Sequence, residues 1–131
     1  MGYYMEQRDS DFTIKQENIQ RAWDALIKLF ENGKRDYSWV DTRSVLEADS
    51  FRDAMEEARW VIYYDNNRED VCGILFNGEK YGGDEVIILG AIAPYVENGS
   101  YIEMLGEDGE IWRWVFNDGS IEEKNAKIVW E

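Results

Sequence analysis

The sequence predicts a single α+β domain over residues 1–131, a largely antiparallel sheet with about three helices packed mainly on one face. Three observations carry this expectation. Apolar residues recur at intervals of three and four in separate segments, the spacing of a helix face. Short β-branched and aromatic runs stand between and after them, as a half-buried pleated surface favours. The last third holds two Asp-Gly pairs between alternating runs, and such pairs mark hairpins because both central turn positions need positive φ.

Tyr3 to Gln7 and Phe12 to Ile14 read as extended, separated by a polar turn at Arg8-Asp9-Ser10-Asp11. Ile19, Ala22, Trp23, Leu26, Ile27 and Phe30 then form one helical stripe, stopped by Asn32-Gly33, which tolerate the left-handed conformation. Residues 34–49 read as loop with a short strand at Trp39. Ser50 is placed to cap a second helix whose inner stripe is Phe51, Ala54, Met55 and Ala58. Trp60 to Tyr64 and Val71 to Phe76 read as paired strands. Asp84 opens a third helix that ends or bends at Pro94, which lacks the amide to bond back into the preceding turn. Four strands close the chain as a meander: Tyr101–Leu105, Ile111–Phe116, Ile121–Glu123 and Ala126–Trp130. In the second, Trp112, Trp114 and Phe116 share one face and Ile111, Arg113 and Val115 the other.

Composition narrows function more by exclusion than by motif. There is no histidine and one cysteine, so Ser-His-Asp and Cys-His chemistry are absent, as are an intrachain disulfide and a thiolate–imidazole zinc site. Cys72 sits in the apolar run 71–76 and reads as a small buried hydrophobe, in keeping with a reducing, cytoplasmic compartment. No Gly-Lys-Ser/Thr phosphate loop occurs. Asp65 to Glu69 places oxygens at alternate positions, as a calcium loop does. Asp70 and Phe76 occupy the positions that such a loop reserves for glycine and glutamate, so an ordinary turn is expected. No signal peptide, transmembrane run or cofactor motif is read, and no catalytic residue is assigned.

Charge says more. Against 14 Lys and Arg stand 28 Asp and Glu, a formal net of −14. Within residues 97–123 eight acids face Arg113 alone. Such a field repels nucleic acid and anionic membrane and attracts basic surfaces. The expected partner-binding set is Glu103, Glu107, Asp108, Glu110, Asp118, Glu122 and Glu123 on a rigid sheet, with Tyr63 and Tyr64 as anchors. Glu103 stands between Ile102 and Met104 and reads as a solvent-facing strand residue rather than a buried carboxyl with a raised pKa.

The runs Gly99-Ser100-Tyr101-Ile102-Glu103-Met104, Gly106-Glu107-Asp108-Gly109 and Trp112-Arg113-Trp114-Val115-Phe116 resemble an uncharacterised family of short acidic proteins from Gram-positive bacteria and their phages. Gly2-Tyr3-Tyr4-Met5-Glu6, Phe12-Thr13-Ile14-Lys15 and Ala91-Ile92-Ala93-Pro94-Tyr95-Val96 are similar too. The resemblance implies a context without catalytic residues, and by analogy the strategy of DNA-mimicking anti-CRISPR inhibitors. The expected function is therefore a non-enzymatic inhibitor that occludes a basic nucleic-acid-binding surface, such as that of a nuclease or defence complex. The alternative is a housekeeping or immunity-type adaptor that is acidic only for solubility.

Overall fold

The stripe at Ile19–Phe30 winds into the longest helix, α1 (Gln16–Glu31), which buries Ala22, Leu26 and Phe30. Thr42–Leu46 forms α2, capped by Asp41, whose carboxylate accepts from Arg43 N at 3.1 Å. Ser50 Oγ accepts from Asp53 N at 3.1 Å and starts α3 (Phe51–Glu57). The fourth helix, α4 (Glu85–Ile92), runs into a 3-10 turn at Ala93–Tyr95 that carries Pro94 in its first turn, where no amide is needed. The computed structural model describes residues 2–32, 37, 39–126 and 130.

Among the described residues six strands complete the α+β fold. β1 (Met5–Asp11), β4 (Tyr101–Gly106), β5 (Ile111–Asn117) and β6 (Ser120–Asn125) form an antiparallel sheet in the order β1-β4-β5-β6. A second antiparallel pair joins β2 (Trp60–Tyr64) to β3 (Val71–Phe76). A side chain links the two sheets. Gln7 Nε2 donates to Ile74 O at 2.8 Å, and Gln7 Oε1 accepts from Phe76 N at 2.8 Å. One amide thus stands in for a ladder rung between β1 and β3.

The core lies between the helices and one sheet face. Ile102 and Met104 of β4 and Trp112, Trp114 and Phe116 of β5 are buried. Tyr101, Glu103, Leu105, Ile111, Arg113 and Val115 face the other way and keep partial or full exposure. Trp114 packs edge-on against Trp60 with centroids 6.1 Å apart, and Trp60 against Phe76 at 5.1 Å. Aromatic contacts thereby tie the small sheet to the large one.

Four expectations are corrected. The polar run at Arg8–Asp11 is not a turn: it belongs to β1, with a bulge between Gln7 and Asp9. Trp39 is no strand; it sits in a turn at φ 66° with Lys80 Nζ 5.4 Å from its ring. Cys72 is exposed because the pairing of β2 with β3 slips there, Tyr63 opposing Gly73 and Tyr64 opposing Val71, which leaves Cys72 as the extra residue of a bulge while Val71 and Ile74 are buried. Asp84 makes no side-chain cap to α4; the Glu85 carboxylate takes the Gly82 and Gly83 amides, each at 2.9 Å. The stop at Gly33 and most of the strand at 126–130 lie outside the described residues.

Candidate functional site

The seven acids singled out from the sequence do not share one sheet face. Glu103 lies on the outer face opposite Arg113, whose Nε donates to it at 2.8 Å, and Arg8 adds a contact at 3.6 Å. The Arg113 guanidinium also lies 4.2 Å from the centre of the Tyr101 ring. That carboxylate holds the Arg113 pKa above its usual range and is itself neutralised within the molecule. Glu122, on the same face, has Lys124 at 3.9 Å. Asp118 occupies the left-handed position of the β5–β6 turn, at φ 51°. It is separated from the β4–β5 turn by the length of a seven-residue strand, roughly 23 Å. Tyr63 and Tyr64 sit at the end of β2 farthest from Trp60. Tyr63 points out beside Gly73, and Tyr64 is half-buried. These five positions are not part of a common patch with the other four acids.

Glu107, Asp108, Glu110 and Glu123 do converge. The first three form the β4–β5 turn. Glu123 faces the core side of β6, opposite Trp114, and its carboxylate accepts from Trp114 Nε1 at 3.0 Å. Opposed residues share a sheet face, so Ile121, Glu123 and Asn125 accompany Phe116, Trp114 and Trp112 in a row along the core side. α4 and the 3-10 turn reach the Ile121 end of this row. At the Asn125 end the helices stop and a cleft opens.

Tyr3, Tyr81, Glu110, Trp112, Glu123 and Asn125 line the cleft, whose volume is about 270 Å³. The Tyr81 ring stands nearly perpendicular to both Tyr3 and Trp112, at 83° in each case, with centroids 6.4 and 6.2 Å away. Three rings thus form adjoining walls. Glycine makes this arrangement fit: a Cβ on Gly106 would collide with the Tyr3 ring. The Tyr3 hydroxyl donates to Asp108 across the turn, and Glu107 accepts from Tyr4 N at 2.9 Å. The Tyr3–Asp108 hydrogen bond pushes the phenol up to about 12 and holds the carboxyl below its usual range.

Tyr81 hangs from the loop between β3 and α4, which is strapped on three sides. Tyr81 N donates to Tyr3 O at 2.7 Å and Met5 N donates to Glu79 O at 2.9 Å. From below, Arg59 donates to Lys80 O and faces Glu85 at 3.9 Å, both side chains nearly buried. Burial lowers the Arg59 pKa, and the Glu85 charge partly restores it. Burial, and then the charges of Glu85, Glu123 and Glu110, raise the Tyr81 phenol, so it stays neutral in a negative surround. Lys80 points away from the cleft, with Nζ 5.3 Å from the Tyr4 ring and 5.4 Å from that of Trp39.

Among the described residues no ion pair joins Glu107, Asp108, Glu110 or Glu123 to a lysine or arginine. A broad depression next to Gly106 adds Glu6 and Glu79 to the same end of the sheet. Sequence reasoning missed Tyr81 and did not bring Tyr3 or the buried Trp112 to a common cleft. The available signals were the Gly106 beside the hairpin and the Gly82-Gly83 pair after Tyr81. Among the described residues no helix is long and apolar enough to cross a membrane, and no carboxylate and thiol cluster is placed to hold a metal ion. Comparison with protein-family models, with curated proteins and with solved structures finds no match to this chain.

Proposed function

We propose that this protein is a non-enzymatic binding protein that seats its acidic sheet end on a basic protein surface of the kind that holds nucleic acid. The observation that supports the reading is the grouping of Glu107, Asp108, Glu110 and Glu123 around aromatic rings with no ion pair to a basic residue among the described residues. Exposed Tyr4 and Tyr81 supply contact area that keeps a hydrogen-bonding tip. The contact differs from the acidic sheet face expected from sequence: the face carries the Arg8–Glu103–Arg113 network, and the acids at the end stand clear of it.

The reading is tested by local charge reversal. Glu107→Lys with Glu110→Lys removes charge at the sheet end, and Glu56→Lys with Glu57→Lys makes the same change in net charge on α3. Captured from bacterial lysate, the partner should itself bind DNA or RNA and lose it to the wild-type protein. The sheet-end variant should bind that partner at least tenfold more weakly at low salt, with the difference narrowing at 0.5 M salt. The α3 variant should bind as wild type. Equal losses from both variants would mean that the acidity acts only through net charge and solubility.

A further inference from the structure

The cleft at the sheet end has the size and walls for one cationic side chain. Sites for cofactors and drug-sized ligands run to roughly 300–1,000 Å³. At about 270 Å³ this one is smaller and open. Its walls are aromatic rings and its charged groups are two carboxylates, Glu110 and Glu123, so the charge it accepts is positive. Among the described residues nothing basic lines it. Trp112 is only 6% exposed, and its indole Nε1 has no hydrogen-bond partner.

The rest of the molecule shows which cation such a combination holds. Among the described residues a guanidinium twice lies on an aromatic ring with a carboxylate beside it. Arg113 lies 4.2 Å from the Tyr101 centroid with Glu103 at 2.8 Å, and Arg59 lies 4.8 Å from the Phe76 centroid with Glu85 at 3.9 Å. The cleft repeats the ring and carboxylate halves of that arrangement and lacks the guanidinium. A planar guanidinium stacks on a ring while its fork of N–H donors reaches carboxylates in its own plane, which an ammonium does not do.

We propose that the cleft receives an arginine side chain projecting from the basic partner, stacked on the Tyr81 ring beside Trp112 and hydrogen-bonded to Glu110 and Glu123. This deepens the proposed function and rests on it for the source of the arginine. The cleft's own chemistry is tested without any partner.

The probe is the peptide acetyl-Gly-Arg-Gly-amide, titrated into the folded protein while the indole N–H resonance of Trp112 is followed by NMR. The matched peptide with citrulline keeps the shape of arginine and loses the charge. The arginine peptide should shift the Trp112 signal saturably in the millimolar range, the citrulline peptide should not, and the lysine peptide should bind several-fold more weakly. Tyr81→Leu should weaken binding about tenfold and Tyr81→Phe should restore it. Glu123→Gln, which keeps an acceptor for Trp114 Nε1, should weaken it similarly. Glu56→Gln on α3 should change nothing. Equal response to citrulline, equal affinity for lysine, or a silent Trp112 would overturn the assignment. A silent cleft alongside intact sheet-end-dependent partner capture would remove this inference and leave the proposed function standing. A responsive cleft with no such capture would do the reverse.

Discussion

Tyr3 and Asp108 lie 105 positions apart in the chain and share one hydrogen bond that fixes a wall of the cleft. Their titrations define when that wall is in place. The folded-state pKa of Asp108 is depressed, so its contribution is present above the unfolded carboxyl value and lost as pH falls through the folded one. The Tyr3 phenol is raised, so its contribution is complete below about pH 10 and lost as pH rises toward about 12. Tyrosinate absorbance at alkaline pH should therefore lose a component titrating near 12 in Tyr3→Phe. Arg59 and Glu85 are coupled more deeply, with side chains 9% and 3% exposed. Arg59→Met should lower stability to urea by about 3 kcal/mol, because it strands a buried carboxylate. Arg43→Ala, in the exposed pair with Glu47, should change it by less than about 0.5 kcal/mol. Cys72 should react with a thiol reagent in the folded protein, which a buried hydrophobe would resist.

At the scale of elements, legibility followed the period of the apolar pattern. α1 and α3 were readable because their stripes and the Ser50 cap are local signals. α2 was not: five residues that bury Val45 alone carry no period. β1 was read as two pieces because Arg8 to Asp11 is polar throughout. Its core-facing members, Gln7 and Ser10, meet the Ile74 carbonyl and not an apolar layer, at 2.8 and 3.3 Å. Polarity there signals a seam between sheets, and only the fold brings β3 alongside. The Glu107-Asp108 turn was legible for the same local reason as any hairpin. Tyr3 and Tyr81 were not, since their meeting depends on β1 pairing with β4 and on the loop lying back over both. Gln7→Leu should cost about 1–3 kcal/mol, leaving the Phe76 amide without its partner while the Ile74 carbonyl keeps the Ser10 hydroxyl. Hydrogen exchange should show the Phe76 amide losing protection, with the centre of β5 unchanged. Retained protection at Phe76 would mean that β3 holds its place without the glutamine.

For the whole molecule, a net charge of −14 opposes compaction, while 15% aromatic residues hold it together. The ion pairs on the sheet and helix surfaces are mostly exposed and contribute little each. Repulsion should dominate, so raising NaCl from 10 to 300 mM should increase Tm by several degrees. A fall in Tm would show that the attractive networks outweigh the field. The separation of roles follows from the same balance: aromatic cross-packing between the two sheets fixes the frame, and the open end of the larger sheet carries Glu110 and Glu123 beside aromatic rings.

The placement of Tyr3 has a practical side. Tyr3 precedes β1 and is held by its contacts over Gly106 and Asp108, and the stretch carrying it leads straight into the strand. A protease that clips after Tyr4 would open the cleft on one side while sparing every helix and the whole of the four-stranded sheet. Such trimming would act as an off-switch for recognition that circular dichroism could not see, and affinity handles fused just ahead of Gly2 invite the same silent failure.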